Sequence, residues 1–337
     1  MRAFVYFLIV FILIACGQQV QKKDEPVSFK KPSFFPAIPI PNDNSVTKLK
    51  FILGRYLFYD KALSADGTHS CSSCHVLSNA FTDGKKVSLL GNSEFPRNAP
   101  TLANVAWQPY LMSEGGVPSL EMQLLGPIHE AHEFASSMEA VLERLGKNKR
   151  YNELSRAAFG RDLDAYTFMR ALATFERGFI SGDTKFDRSY YFKSNEMNED
   201  ELAGQALFFS ERAQCSSCHA LPFFTDYQFY SLGLEDSDLG LERRTYQSID
   251  RGKFKTPTLR NIELTAPYMH NGSLNTLADV VRYLNEGGGH GLNKDARIQN
   301  LSLTEEEQRQ LISFLKCLTD WNFVQNADLV EPDDMNE

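Results

Sequence analysis

The sequence lacks an apolar run long enough to span a membrane. Its most apolar stretch, Ala3 to Ala15, falls short of the roughly 20 residues that a transmembrane helix needs, and it follows the basic Arg2. A short apolar run after a basic residue is typical of a secretory signal peptide. The sequence therefore predicts an exported protein.

The residues that end this run resemble a bacterial lipobox. We expect residues 1–15 to be a lipoprotein signal peptide and Cys16 to be the lipidated first residue of the mature chain. The alternative is an ordinary cleaved signal with an incidental cysteine. A lipid anchor would hold the protein on the periplasmic side of a bacterial membrane, and Gly17, where an aspartate would indicate inner-membrane retention, favours the outer membrane. Residues 16–38 are predicted to be a flexible tether.

The chain also lacks an excess of positive charge. It has 35 Lys and Arg against 43 Asp and Glu, a formal net charge of −8, which argues against nucleic acid as a partner. Strand patterns are sparse, whereas helical periodicity recurs, so the predicted fold is mainly α. We assign residues 321–337 to a solvated acidic tail.

An internal repeat precedes two CSSCH motifs. The segment LGRYLFYD lies before the first motif and AGQALFFS before the second, so that Gly54 and Phe58 correspond to Gly204 and Phe208. This layout resembles small c-type cytochromes, in which a glycine lets the helix before the haem-binding loop pack closely on the C-terminal helix. We therefore predict two cytochrome c-like domains, residues 39–190 and 191–320.

The second half ends in a helix pattern, SLTEEEQRQLISFLKCL. Thr304 and Glu307 form a predicted capping box at its start. Its apolar face is expected to pack on the helix that carries Gly204. That face comprises Leu311, Ile312, Leu315 and Leu318.

Each CSSCH motif supplies the groups that a covalently bound haem c requires. Two cysteines three residues apart can reach the two vinyl groups, and the next histidine can bind the iron. A zinc site or a redox-active dithiol are the alternatives for a bare CxxC pair, but both pairs here carry the histidine. Of the remaining cysteines, Cys317 is predicted to be an inert buried thiol. The motif residues are Cys71, Cys74, His75, Cys215, Cys218 and His219.

Further motifs resemble the bacterial di-haem cytochrome c peroxidase and MauG family. They are DGTHSCSSCH, FTDG, RNAPTLANVAW, SLEMQLLGPI and TPTLRNIELTAPYMHNGSL. The resemblance implies that His75 is the proximal ligand of a peroxide-binding haem and His219 that of an electron-relay haem. It also implies two catalytic residues, Gln123 and, in the segment after it, Glu133, which would move a proton between the two oxygens of peroxide. A solvated Glu133 with no catalytic part is the alternative.

The resemblance implies further ligands and partners. Family members hold a calcium ion between the domains, and the matching positions are Asn98, Thr265 and Pro267, whose neutral oxygens suit calcium. They take electrons from a small cytochrome c or cupredoxin, and they often form homodimers.

The sequence departs from the family at the sites beside the haems. No histidine occurs between Val76 and Ile128, which implies an open sixth position on the first haem unless His129 or His132 folds in. The position of the bridging tryptophan between the haems is Ser113. The resemblance does not assign the bridging role to Trp107.

The sixth ligand of the second haem is a further departure. The position at which relatives carry methionine or tyrosine is Leu284, which cannot bind iron. The adjacent Tyr283 and, less favoured, Met269 remain the candidates. Methionine would raise the haem potential, whereas tyrosinate would stabilise oxidised states.

Three functions follow from this sequence. The leading hypothesis is a peroxidase that reduces hydrogen peroxide to water, with electrons relayed from the C-terminal haem to the N-terminal haem. A MauG-type oxidase that acts on a partner protein is the second. A plain membrane-tethered di-haem electron carrier is the third, although the segment from Gln123 to Glu133 argues against it.

Overall fold

The computed structural model describes residues 24–90, 93–94, 97–234 and 238–335. Helices dominate these ranges, as the sequence predicts. None of the helices found there has the length and apolarity that crossing a membrane requires. The helices are α1 (Lys48–Tyr59), α2 (Leu120–Gln123), α3 (Leu125–His129), α4 (Met138–Gly146), α5 (Lys149–Phe159), α6 (Ala165–Glu176), α7 (Lys185–Phe192), α8 (Glu199–Phe208), α9 (Glu242–Thr245), α10 (Leu277–Asn285) and α11 (Glu305–Lys316).

The strands in the described ranges are two residues long and form two separate pairs. β1 (Leu89–Leu90) pairs antiparallel with β2 (Ser93–Glu94), and β3 (Phe229–Tyr230) pairs antiparallel with β4 (Phe254–Lys255). In the second pair Phe229 lies opposite Lys255. These two-residue strand pairs hold loops in place and do not build a sheet layer.

The first core forms where α1 packs on α6. A Cβ atom on Gly54 would lie 2.0 Å from the carbonyl oxygen of Ala171, so only glycine allows the two helices to approach this closely. The core is rich in aromatic rings, and Phe58 lies edge-on to Phe81, Phe175 and Phe179. The first CSSCH motif begins at Cys71, after a connecting segment that follows the end of α1 at Tyr59.

The second core repeats this construction with α8 and α11. A Cβ atom on Gly204 would lie 2.0 Å from the carbonyl oxygen of Gln310. The predicted capping box at the start of α11 is present, since the Thr304 and Glu307 side chains each accept the other's backbone N–H. The close helix packing predicted for Gly204 is therefore confirmed.

The packing moves the expected domain boundary. Phe186 on α7 is fully buried in the second core and lies edge-on to Phe224 and Phe314. The boundary expected near residue 190 falls inside α7. By packing, the second unit begins before that helix.

Both ends of the predicted folded part, residues 39 and 320, also differ from those in the structure. Phe323, Val324 and Leu329 are buried in the first core, and the Tyr59 hydroxyl donates to the Leu329 carbonyl at 2.6 Å. The segment assigned to a solvated tail, residues 321–337, therefore packs against the first core over much of its described length. Its apolar residues supply the driving force.

The N-terminal segment assigned to a tether is likewise packed where it is described. Phe35 is 3% exposed, and the Val27 amide donates to the Val46 carbonyl at 3.2 Å. Aromatic residues at the end of this polar segment bind it to the domain, which a composition average over residues 16–38 does not detect.

A smaller cluster brings together residues from both halves of the chain. Phe35 and Trp107, from the N-terminal half, pack with Phe223, which follows the second CSSCH motif. The ring centroids of Trp107 and Phe223 lie 5.1 Å apart.

Candidate active site

The two CSSCH motifs fold into the same local structure. Cys71–Ser73 and Cys215–Ser217 are 3₁₀ turns, and each motif histidine donates its backbone N–H to the carbonyl of its first cysteine at 3.0 Å. The four motif cysteines are not joined in disulfides. Each turn therefore presents two thiols and an imidazole from one short segment, as thioether attachment of haem requires.

Both motif histidines are oriented by a backbone carbonyl. Nδ1 of His75 lies 2.9 Å from the carbonyl oxygen of Phe81, and Nδ1 of His219 lies 3.0 Å from that of Phe224. A carbonyl only accepts, so Nδ1 carries the proton and Nε2 keeps its lone pair for a metal. Burial lowers the pKa of both imidazoles, which keeps them neutral.

A cavity with a volume of about 80 Å³ lies beside His75. Its walls bring together the motif residues and both predicted catalytic residues, Gln123 and Glu133, which come from separate segments. Apolar side chains complete the lining, among them Phe58, Leu102, Leu120, Leu124, Phe134 and Leu172.

Glu133 lies in a turn that is fixed by its neighbours. Its amide donates to the Glu130 carbonyl at 3.0 Å, and the next residue, the buried Phe134, donates its amide to the Pro127 carbonyl at 3.1 Å. Burial, and secondarily the nearby Glu130, raise the pKa of Glu133 to about 7. A carboxyl with this pKa can both take up and release a proton near neutral pH.

Gln123 ends α2 and reaches the same cavity. Its Nε2 donates to Sδ of Met112 at 2.9 Å, while its Oε1 is buried without a hydrogen-bond partner. A buried acceptor of this kind is costly unless a ligand satisfies it. The chemistry of the lining thus suits a haem with a small hydrogen-bond donor beside it: the cavity presents two thiols, a lone pair at His75 and an acceptor without a partner.

Sequence reasoning missed a second carboxyl in the cavity, Glu176. It is 7% exposed at the end of α6, and burial raises its pKa to about 8. Leu172, one helical turn earlier, also lines the cavity. This spacing of four residues on a helix beside the motif is the pattern that could have identified Glu176.

The two histidines considered as distal ligands lie on the surface. His129 and His132 are exposed, and Nδ1 of His129 lies 2.8 Å from the Leu125 carbonyl. Neither residue lines the cavity beside His75.

The candidate sixth ligands of the second centre have other contacts. The Tyr283 hydroxyl donates to the Leu232 carbonyl at 2.9 Å, and would have to leave that bond to bind iron. Met269 is half-buried, at a backbone φ of +71° in the loop between Tyr268 and Leu274. The sixth ligand therefore stays a prediction.

The residues predicted to hold calcium lie on neighbouring loops. The amide of Asn98 donates to the His270 carbonyl at 2.8 Å, three residues beyond Pro267, and its side chain donates to the Lys85 carbonyl at 2.6 Å. Among the residues that the structure describes, no three His, Cys, Asp or Glu side chains form a metal cluster. The calcium site of Asn98, Thr265 and Pro267 stays a prediction.

Two cysteines, Cys16 and Cys317, lie outside the CSSCH motifs. Cys317 is 3% exposed with a free thiol whose pKa burial raises to about 12, as expected of an inert core residue. The predicted lipidation site, Cys16, lies outside the described residues.

Comparisons with known proteins agree with this geometry. A family model described as di-haem cytochrome c peroxidase matches residues 48–196. The methylamine utilization protein MauG of Methylorubrum extorquens is 35% identical over 86% of this chain and 83% of its own length. The cytochrome c551 peroxidase of Nitrosomonas europaea is 34% identical over 79% of each chain.

A solved structure is similar over nearly the whole molecule. It is a MauG-like protein associated with microbial copper homeostasis, with a TM-score of 0.84 and 34% identity, covering 91% of this chain and 99% of that one.

Proposed function

Because the chain belongs to the di-haem cytochrome c peroxidase and MauG family, we propose that it is a peroxidase that reduces hydrogen peroxide to water beside His75. The observation that carries the proposal is the convergence of Glu133, Gln123 and the motif histidine on one cavity. A bound haem c would supply an iron that coordinates peroxide and exchanges electrons with it. The family supports two such haems, held by the two CSSCH motifs.

The residues of this chain handle the proton. Reduction of one peroxide consumes two electrons and two protons and releases two waters. Glu133 takes the proton from the nearer oxygen and returns it to the farther one, so that the farther oxygen leaves as water rather than hydroxide. The unpaired Oε1 of Gln123 accepts a hydrogen bond from peroxide and orients it.

The His219 centre passes the electrons on. The donor is a small cytochrome c or a cupredoxin, and it docks on the C-terminal domain. Calcium at Asn98, Thr265 and Pro267 would join the two domains, and a homodimer would be the assembled form. A lipid on Cys16 would hold the protein on the periplasmic side of the membrane, with the outer membrane favoured.

Steady-state assays with peroxide and a reduced small cytochrome c test the proposal. We expect peroxide-dependent oxidation of the cytochrome by the protein, and its loss in Glu133→Gln. Turnover no greater than that of the variant would contradict the proposal.

A second candidate function is oxidation of a partner protein. It is favoured by the 35% identity to MauG and by the likeness to a MauG-like structure. A Tyr283 ligand detected by electron paramagnetic resonance, together with poor turnover of cytochrome c, would favour this function over the first.

A further inference from the structure

A chain of aromatic and hydrogen-bonded contacts leads from His75 to the domain interface. Its first link is the 2.9 Å contact between Nδ1 of His75 and the carbonyl of Phe81. The Phe81 ring stacks on Phe179, with centroids 4.0 Å apart and planes at 12°. The Phe179 carbonyl accepts the amide of Asn104 at 2.7 Å, and the Asn104 carbonyl accepts the amide of Trp107 at 3.2 Å. Trp107 is thus linked to the first haem site on its proximal side.

The same tryptophan meets the second haem site across the interface. Its ring lies 5.1 Å from that of Phe223, and Phe35 packs against both rings at 5.3 Å and 4.6 Å. Phe223 is bonded to Phe224, whose carbonyl lies 3.0 Å from Nδ1 of His219. The contacts therefore run from one proximal histidine to the other, with Trp107 in the middle.

The position that carries a bridging tryptophan in relatives offers no such ring. Ser113 contacts the other domain through its backbone, since its carbonyl accepts the Lys255 amide at 2.8 Å. A hydroxymethyl side chain has no π system. Trp107 is 8% exposed, and its Nε1–H donates to the Ala37 carbonyl at 3.2 Å, so that the indole is held in place.

We propose that Trp107 is the electron-transfer residue between the two haem sites of this chain. The inference rests on the proposed function. In each transfer one electron leaves the indole for the His75 centre, and one electron from the His219 centre replaces it. The indole ends unchanged and loses no proton, because its N–H remains bonded to the Ala37 carbonyl.

The first test measures electron transfer between the centres directly. In protein loaded with both haems, the His219 centre is reduced, peroxide is added, and the spectra of the two centres are followed over one turnover. We expect Trp107→Leu to slow the transfer by at least about tenfold, which corresponds to about 1.4 kcal/mol in activation free energy. Trp107→Phe, which keeps a ring at this position, is expected to slow it less.

The chain supplies a matched control because it has two tryptophans. The other, Trp321, is 54% exposed, and Trp321→Phe should leave the transfer rate unchanged. Phe223→Leu removes the ring on the opposite side of the same contact. It should slow the transfer as well, which tests the route if Trp107→Leu does not fold.

A second test reads the covalent state of the tryptophans. When peroxide is added without a donor, its two electrons must come from the protein. An indole on the route then loses two electrons and two protons, gains the oxygen of a water as hydroxytryptophan, and peroxide becomes two waters. Peptide mass spectrometry should find this added oxygen at the buried Trp107, and Glu133→Gln should prevent it.

The outcomes distinguish failure of the proposed electron-transfer route from failure of the proposed function. Absence of peroxide turnover in the unaltered protein would contradict the proposed function. Normal turnover, with equal transfer rates in Trp107→Leu and the unaltered protein, would overturn the route. Oxygen added at the exposed Trp321 while Trp107 stays unmodified would overturn it too.

Discussion

Replacement of Glu133 by glutamine should lower activity and raise stability in the same protein. The carboxyl is the predicted proton carrier, and loss of general acid–base catalysis costs about 10²–10⁴-fold in rate. We expect kcat/KM for peroxide to fall within that range. In the unaltered protein kcat/KM should rise as the pH rises through about 7, because Glu133 must be ionised to accept the first proton.

The gain in stability of Glu133→Gln follows from the burial that raises the pKa of Glu133 in the unaltered protein. The pKa of Glu133 is raised from 4.5 to about 7 in the folded protein, a difference that corresponds to about 3.4 kcal/mol at 1.36 kcal/mol per pKa unit. Because the folded-state pKa lies above the unfolded value, the ionised carboxyl destabilises the fold increasingly from about pH 4.5 to 7, and by a constant amount above that. The side chain is partly exposed, so solvent screening reduces the effect to about 2 kcal/mol.

Denaturant unfolding at pH 5 and pH 8 measures this gain. We expect Glu133→Gln to be more stable than the unaltered protein at pH 8 and nearly equal to it at pH 5. The matched control, Glu139→Gln, changes an exposed glutamate in the first turn of α4 and should alter neither activity nor stability. Glu130→Gln should shift the rise in activity to lower pH, because Glu130 helps to raise the pKa of Glu133. A Glu133→Gln protein that is equally active, or less stable at pH 8, would refute the reasoning.

Two further predictions concern the second domain, and unfolding of the haem-loaded protein measures both. Gly204→Ala should destabilise it although alanine favours helices, because the added Cβ would lie 2.0 Å from a carbonyl oxygen of α11. Gly146→Ala, where nothing lies within 4 Å, is the control, and equal effects would contradict the packing argument. Arg260→Ala should cost about 3–5 kcal/mol, since it leaves the fully buried Asp187 without the guanidinium that binds both of its oxygens at 2.7 and 2.9 Å. A loss below about 1 kcal/mol would indicate an exposed pair instead.

The features that the sequence predicts well depend on residues close together in the chain. The CSSCH turns, the capping box at Thr304 and the glycine of each paired helix are local patterns, and the structure has them where expected. Each needs one segment and one physical rule, such as the close approach that only Gly54 or Gly204 permits.

The features that the sequence does not predict depend on distant contacts. Glu176 is one acidic residue among 43 Asp and Glu, and only the packing of α6 beside the first motif makes it a buried carboxyl of the cavity. Phe35 and Phe323 lie in segments whose average composition is polar or acidic, yet each inserts a ring into a core or interface cluster. The sixth ligand of the second centre depends on the same kind of information, and neither Tyr283 nor Met269 can be chosen from spacing alone.

The return of the C-terminal segment to the first core affects the order in which the protein can be completed. Phe323 lies against Phe81, the residue whose carbonyl orients His75, with ring centroids 5.7 Å apart. The surroundings of His75 are thus finished only after nearly the whole chain has been synthesised. A fragment of residues 39–190 would therefore lack part of its own interior, and the proposed haem attachment to Cys71 and Cys74 could precede the final packing around His75.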